Sequence, residues 1–448
     1  MKVNVYESIP LRNMYYNETE VVFGNTTEDV EWNIINVIDE VEYQEIFGFG
    51  GAFTEASAYN YSLLDAKAKK EFLTKYFDRK DGIGYNFGRT HINSCDFSLD
   101  VYSYVEDGDE TLATFNIDRD RKYIIPFLKD AQEVSKEEIV LLASPWSPPA
   151  YMKTNGCALS GGKLQEKYRN LWALYYAKYI KAYKDEGIKI SAITIQNEPK
   201  ATQTWESCVW TAEEEREFIE NYLAPTLKRE GLSDIKIVIW DHNKERAYER
   251  AKDILSSEVA YDEVWAVGHH WYSGDHFEGL TLIHEQLHKP NICTEFCVGD
   301  GGFGVPIENA EKYAKSICQN LNHYMIASCD WNLLLDDEGG PFHDRLTGGC
   351  NAPVRYDRET KQLEYTPVYY YIGHFSKFVE RGAKRIAVTR YTDKIYTSAF
   401  RNLDGSIIIV VMNPTEHDED AIIRYDKTNT CCKVQAHSII TVVMSQED

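Results

Sequence analysis

The sequence predicts an α/β protein: a (β/α)8 barrel carrying a β-sandwich side domain formed from both chain termini. Three features predict it. From about residue 46 the chain alternates eight short apolar runs with segments of helical period. Beyond about Ile386 the helical period stops and short β runs follow one another. The first forty or so residues share that all-β character. Alternating βα units imply a parallel sheet, and eight of them over roughly 250–330 residues fit a closed barrel. An open doubly wound sheet more often has fewer strands and a phosphate-binding first turn.

The eight strands are expected at Ile46–Phe53, Tyr85–Ile92, Ile139–Trp146, Ile190–Glu198, Ile235–His242, Val264–Trp271, Asn291–Cys297 and Ala327–Leu335. Between them run helical patterns such as Lys163–Glu186, Thr211–Glu230 and Ala310–Tyr324, and Tyr365–Val379 follows the eighth strand. In the tail, YTSAF, SIIIVVMN, AIIRY and HSIITVVM are separated by turn signals, of which NLDG is the clearest. At the other end VNVYESI, EVVFG and WNIINVI have the same pattern. The expected domains are therefore residues 1–45, N-terminal strands of the sandwich; 46–380, the barrel; and 381–448, the C-terminal part of the sandwich.

Of 448 residues, 48 are basic and 71 acidic, a formal charge of −23, and 43% are hydrophobic, enough for a large core. Such acidity disfavours nucleic acid, whose phosphates need clustered Lys and Arg, and equally an anionic membrane surface; a neutral substrate fits better. No apolar run approaches the roughly 18 residues of a membrane helix, so no integral membrane association is expected. The N-terminal segment lacks an apolar h-region and a small-residue cleavage site. The expectation is a cytoplasmic protein, or a secreted one if a leader has been removed. The ten cysteines form no CxxC pair and suggest reduced, mostly buried thiols.

Catalytic groups in such a barrel come from the C-terminal ends of strands. The fourth run closes with ITIQNEP. Pro199 has no N–H to extend the ladder, which places Asn197 and Glu198 at the rim. The seventh carries CTEFC, with Glu295 among apolar neighbours, and such a carboxylate must be paired, hydrogen-bonded or functional. Strands four and seven lie nearly opposite in an eight-membered ring, so both acids can face one axial pocket. Two such carboxylates are the minimum equipment for cleaving a glycosidic bond. Aromatics mark the same rim: Trp146 ends the third strand, Trp271 and Tyr272 end the sixth, and Trp331 sits in the eighth. Sugar C–H faces stack on aromatic planes, while sugar hydroxyls need fixed polar partners, which Asp96, Asn197, His270 and Asn332 can supply.

Other signals carry no site. The GDGGFG stretch from Gly299 to Gly304 matches a dinucleotide fingerprint, but Pro306 separates it from the following helix and no acid stands about 20 residues on. His269 and His270 alternate faces on a strand and cannot be adjacent ligands of one metal. The segment between Cys293 and Cys297 is strand, which argues against a zinc pair. No metal and no cofactor are expected. The EEER run at Glu213–Arg216 opens a helix, where acids offset the dipole, and is expected to be a solvated face.

Taken together, GFGGAFTEASAYN, GIGYNFGRTHINSCDFS, ASPWSPPAYMKTNG, TIQNEP, HHWY, TEFCVG, DWNLLLDDEGGP and YIGHFSKFV resemble glycoside hydrolase family 30, and most closely its glucosylceramidase (acid β-glucosidase) branch. They occur in family order over roughly residues 46–380. The resemblance implies a retaining hydrolase of β-glucosidic bonds acting through a glycosyl-enzyme, with Glu198 as acid/base and Glu295 as nucleophile. It also implies glycone contacts from Asp96, Trp146, Asn197 and Trp331, a supporting shell of His270 and Tyr272, and Arg89 near the nucleophile; Trp271 and Asn332 join the supporting residues. The substrate would be a small-molecule or oligosaccharide β-glycoside. Other family specificities, namely β-xylosidase, β-fucosidase or endo-β-1,6-glucanase, stand as alternatives, as does a non-catalytic carbohydrate-binding barrel. The branch usually has Asn then Trp after DEGGP, where this chain has Phe342 and His343, and KATQTWESC before Cys208 also differs, so ceramide as leaving group does not carry over. The mechanism asks for carboxyl groups ~5–5.5 Å apart. It also asks for a Glu198 whose pKa is raised, partly by the charge of Glu295, so that it stays protonated near neutral pH.

Overall fold

Eight parallel strands close into a ring: Gly48–Ala52, Phe87–Ile92, Val140–Pro145, Ile190–Thr194, Lys236–Asn243, Val264–His270, Asn291–Glu295 and Met325–Asn332. Each pairs with its neighbours in sequence, and the eighth pairs with the first, as in Ser328 against Phe49. This computed structural model describes residues 2–25, 33–299, 306–343 and 349–445. Trp32 at the start of WNIINVI, and residues 300–304 of the GDGGFG stretch, lie outside them.

Apolar side chains from the N-terminal halves of the strands plug the ring. Phe87, Val140, Leu142, Ala192, Val238, Ala266, Ile292, Ala327 and Cys329 form one buried cluster inside it. The polar residues are thereby confined to the carboxyl ends. The first two strands approach unusually closely. A Cβ on Gly50 would fall 1.4 Å from the backbone oxygen of Phe87, so no side chain fits there.

Two strands end three or more residues short of expectation. The fourth strand stops at Thr194, four residues before Glu198, so Pro199 is not what ends it. Instead the Asn197 N–H donates to Pro145 O at 2.8 Å and the Glu198 N–H to Asp241 O at 3.0 Å, which turns the chain out of the ladder. The eighth stops at Asn332, and Leu335–Asp336 joins Val354–Tyr356 and Leu363–Tyr365 in a three-stranded sheet that the sequence did not announce.

The helices match their periods. Arg169–Asp185 occupies most of the segment Lys163–Glu186. The Thr211–Glu230 segment opens on a capping box between Thr211 and Glu214, then widens into a π-turn at Ile219–Leu223 before continuing as Ala224–Arg229. Pro225 accounts for the widening, since its ring crowds the carbonyl four residues back and supplies no N–H. The EEER run is not uniformly solvated. Glu215 is buried, pairs with Arg250 at 2.6 Å and faces the fifth strand, because a helix packed on a barrel turns every third or fourth residue inward.

Both chain ends build the sandwich. Lys2–Ile9 pairs with Ser438–Met444, and Ile34–Glu45 pairs with both Lys384–Val388 and Glu419–Tyr425. Alternate residues point inward, so that Val3, Val5, Ile35, Val37, Ile407, Ile409, Val411, Ile440 and Val442 share one core. His374, on the helix Pro367–Ser376, fixes the sandwich to the barrel. Its two ring nitrogens lie 2.8 Å from Ser8 Oγ and 2.8 Å from Thr441 Oγ1, one from each chain end.

Replacing Gly50 by Ala forces the first and second strands apart. We expect a loss of about 4 kcal/mol or more, seen as a collapse of the thermal midpoint or as insoluble protein. A Gly50→Ala variant melting within a few degrees of wild type would contradict the close approach.

Candidate active site

Above the apolar plug, one buried cation organises the polar ends of the strands. Arg89, on the second strand, donates through Nε to Ser144 Oγ at 3.0 Å and through Nη1 to Glu295 Oε2 at 2.6 Å. Its Nη2 donates to Asn197 Oδ1 at 2.8 Å and to Asp241 Oδ2 at 2.9 Å. The guanidinium lies 4.7 Å from the Trp146 ring and 5.6 Å from that of Trp331, and these two indoles stack on each other at 5.2 Å. From Asp241 the chain continues: His270 Nε2 is 3.1 Å from Asp241 Oδ1 and His270 Nδ1 is 3.2 Å from Glu198 Oε1. Glu198 and Glu295 are thus the two ends of one hydrogen-bonded chain through His270, Asp241 and Arg89.

The remaining oxygens are also engaged. Tyr272 OH donates to Glu295 Oε1 at 2.9 Å, and Gln203 Nε2 lies 3.5 Å from Glu198 Oε2. The backbone beneath is strained: Glu198, Trp240 and Asp241 have φ of +49°, +70° and +51°, a region non-glycine residues seldom occupy. The Glu198 N–H to Asp241 O bond ties the two strained turns to each other.

Burial works against the His270 cation, but the charge of Glu295 and the bonds to Asp241 and Glu198 raise its pKa to about 9. Burial likewise pulls the Glu198 carboxyl up, yet the hydrogen bond and charge of His270, helped by His242 and Gln203, leave it below its ordinary value. This corrects the expectation of a raised Glu198: in the free protein Glu198 is the ionised partner of a cationic His270. The sequence view considered only Glu295 as a neighbour and had no means of placing His270 against Glu198. Asp241 stays well below the carboxylate range because the guanidinium of Arg89 and the imidazole of His270 outweigh its burial.

These groups open onto a cavity of about 660 Å³, a size suited to a small-molecule site. Asp96, Trp146, Asn197, Glu198, Glu295 and Trp331 all line it. Asp96 Oδ1 is buried without a hydrogen-bond partner among the described residues, while burial and the charges of Glu295, Glu206 and Glu198 hold its pKa above the carboxylate range. An unsatisfied oxygen beside stacked indoles is a place for a ligand hydroxyl. Arg89 occupies Asn197 Oδ1, which leaves the amide Nδ2 to meet a ligand.

The other anticipated residues divide. His270 is fully buried behind Glu198, and Tyr272 stands half-exposed at the mouth. Trp271 borders the cavity but packs outward against Phe296 and Tyr313 and donates to Cys297 O at 3.0 Å. Asn332 does not reach the cavity; it accepts the Thr54 hydroxyl at 2.6 Å inside the rim. Among the described residues, Glu198, His242 and His270 bring ligand-type atoms within 4.8 Å of one another. His270 nevertheless spends both ring nitrogens on carboxylates and carries the proton a metal would need to displace.

Sequence reasoning missed Asp241, Ser144, His242 and Gln203. Asp241 had a signal: in KIVIWDHN it is an acid closing an apolar strand, the same rule that found Glu295. At the cavity wall Phe342 packs on Phe97 at 6.1 Å, and His343 Nε2 lies 2.9 Å from Glu206 Oε2.

Because His270 has a folded pKa above its unfolded value, its contribution is fully present below about pH 6.5 and is lost as pH rises through about 9. Wild-type stability should therefore fall across that window with a slope of at most about 1.4 kcal/mol per pH unit from this one proton. Denaturant melts of His270→Asn should show a flatter alkaline limb; an unchanged slope would mean that His270 is neutral in the fold.

The family model for the glycosyl hydrolase family 30 TIM-barrel domain matches residues 46–379, and that for the family 30 beta sandwich domain matches residues 382–442. The lysosomal acid glucosylceramidase of Mus musculus is 32% identical over 406 residues, covering 86% of this chain and 78% of the mouse protein. The crystal structure of SrfJ from Salmonella typhimurium superposes with a TM-score of 0.96 at 33% identity, and the endo-β1,6-glucanase BT3312 with 0.89 at 28%, each over 100% of both chains. No helix among the described residues is long and apolar enough to cross a membrane.

Proposed function

The chain belongs to glycosyl hydrolase family 30, and we propose that it is a retaining exo-β-glucosidase of the glucosylceramidase type, with Glu295 as nucleophile and Glu198 as acid/base. It is a glycoside hydrolase by family. The substrate and the assignment of roles are the proposal, carried by one observation: a single hydrogen-bonded chain joins two carboxylates that both border the cavity over a pair of stacked indoles. The similarity to the mouse glucosylceramidase supports glucose as the sugar.

The network supplies what each step requires. Arg89 and Tyr272 hold one oxygen each of Glu295, aiming it for attack on the anomeric carbon. The proton for the leaving oxygen begins on His270. Its Nδ1 proton crosses to Glu198 Oε1 as substrate displaces water, leaving neutral His270 with its Nε2–H on Asp241; Glu198 then delivers the proton to the departing oxygen. Once the glycosyl ester forms, the charge on Glu295 is gone, and with it the largest support for the His270 cation. Glu198 is then free to take a proton from water, and hydrolysis restores the starting state. Asn197 Nδ2 is placed to bind the sugar 2-hydroxyl, and Asp96 Oδ1 to accept from another.

A second reading is endo-β-1,6-glucanase, favoured by the full-length superposition on BT3312. A panel of p-nitrophenyl β-glycosides (glucoside, xyloside, fucoside, galactoside and glucuronide) separates the two. Dominant hydrolysis of the glucoside supports the exo reading and makes glucosylceramide the next substrate to try. Silence on every monosaccharide with release of oligosaccharides from β-1,6-glucan supports the other.

Glu295→Gln should lose turnover by several orders of magnitude while melting like wild type; rapid turnover would remove it as nucleophile. Glu198→Ala should slow hydrolysis of poor leaving groups by about 10²–10⁴-fold. It should still release a good leaving group in a burst, with azide restoring turnover as a glycosyl azide. Absence of both burst and rescue would count against the acid/base role.

A further inference from the structure

Cys297 and Cys350, 53 residues apart in sequence, place their sulfurs 3.0 Å apart beside the nucleophile. Backbone pairing imposes the encounter. Gly299 and Cys350 form an antiparallel bridge, the Asn351 N–H donates to Val298 O at 2.9 Å, and Asn351 Nδ2 donates to Gly299 O at 3.3 Å. The Cys350 N–H donates to Gly339 O at 3.2 Å, and Cys297 O accepts from Trp271 Nε1. Both segments are thus anchored from outside the pair. All ten cysteines are free, and only this pair brings two sulfurs together among the hydrogen bonds of the described residues.

Tyr272 connects these thiols to the site. Its hydroxyl proton goes to Glu295 Oε1 at 2.9 Å, so at 3.5 Å from Cys297 Sγ the phenol oxygen is the acceptor and the thiol the donor. Cys297 also lies two residues beyond Glu295 on the same strand exit.

We propose that Cys297 and Cys350 form a reversible disulfide with a small-molecule disulfide as oxidant, and that this bond restrains the carboxylate of Glu295. Closure requires the sulfurs to approach by about 1 Å, to the bond length of about 2.05 Å. Cys350, the less buried of the two, reacts first. Its thiolate attacks one sulfur of R–S–S–R and expels R–S⁻; the Cys297 thiolate then attacks the Cys350 sulfur and expels the second R–S⁻. Two cysteines lose two electrons, one small disulfide gains them, and the two thiol protons leave on the two RSH formed. Contact with Cys297 and burial both raise the Cys350 thiol pKa, so the reaction quickens above neutral pH. In the oxidised state Cys297 has no S–H to donate to Tyr272, and its sulfur is drawn toward the loop after the eighth strand.

The test incubates wild type and Cys350→Ser with oxidised glutathione at alkaline pH, removes the reagent, then maps peptides and measures rates on the aryl β-glucoside. We expect a Cys297–Cys350 linked peptide in wild type, kcat lower by about three- to tenfold, the size of one hydrogen bond lost to the tyrosine that holds the reacting carboxylate, and full recovery with dithiothreitol. Cys350→Ser should keep its own reduced rate after the same treatment. Absence of the linked peptide overturns the proposal, as does a linked peptide with unchanged kcat, or an equal loss in Cys350→Ser. The effect on rate rests on the hydrolase reading, whereas the peptide does not. A reduced wild type inactive on every glycoside would defeat that reading, and the linked peptide alone would then decide whether the bond forms.

Discussion

A buried guanidinium is the constraint around which this barrel is arranged. Arg89 sits where no water can solvate it, and its charge is balanced by Asp241 and Glu295, with Ser144 and Asn197 accepting its other hydrogen bonds. Removing an ion from water costs several kcal/mol, offset only when partners and geometry are complete. The dependence runs both ways: Arg89 fixes the orientation of the nucleophile candidate and the amide of Asn197, and without it Glu295 would keep only Tyr272 and Asp241 only His270. A lysine could not replace it, because the partners are spread over four directions that a planar fork reaches and a single ammonium does not. The stacked faces of Trp146 and Trp331 complete the enclosure, so the indoles that suit a sugar also shield the cation.

From that cation, charge alternates outward: Arg89 positive, Asp241 negative, His270 positive, Glu198 negative. Each sign is stabilised by the one before. This explains how, in the proposed cycle, Glu198 can be ionised before substrate binds and still act as an acid. The proton is stored one hydrogen bond away, on a group whose affinity for it depends first on the charge of Glu295. Consumption of that charge in the proposed covalent intermediate would lower the affinity at the point where the cycle calls for a base. The strained turns at Glu198 and Trp240–Asp241 belong to the same arrangement, since the Glu198 N–H to Asp241 O bond ties them to each other.

Much of this was legible in the sequence, and what was not has an identifiable cause. Alternating apolar runs and helical periods located all eight strands, because a plugged parallel barrel needs continuous apolar strands and amphipathic helices. Glu295 was conspicuous as an acid between apolar neighbours; Glu198 was found for a partly mistaken reason, as the strand ends at Thr194 and a hydrogen-bonded turn carries the carboxylate inward. Asn332 was read as a sugar partner from its place beside Trp331, but side chains alternate along a strand, and it faces Thr54 instead. Glu215 was misjudged because composition gives a run of acids no direction, while the helix turns one of the three toward Arg250. The pKa of Glu198 could not be foreseen without knowing which side chains from the fifth and sixth strands arrive beside it.

The thiol pair shows the same limit most clearly. Nothing local distinguishes Cys297 or Cys350 from the eight other cysteines; they meet only because the exits of the seventh and eighth strands pair outside the ring. Parallel barrel strands place consecutive carboxyl-end loops side by side, so residues far apart in sequence meet at the rim, where chemistry occurs. The seventh loop starts at Glu295. A covalent tie through Cys297 acts two residues from that carboxylate, and Tyr272 makes the coupling direct by touching both Glu295 and Cys297. A disulfide elsewhere on this barrel would be a staple. At this position it bears on the orientation of the proposed nucleophile.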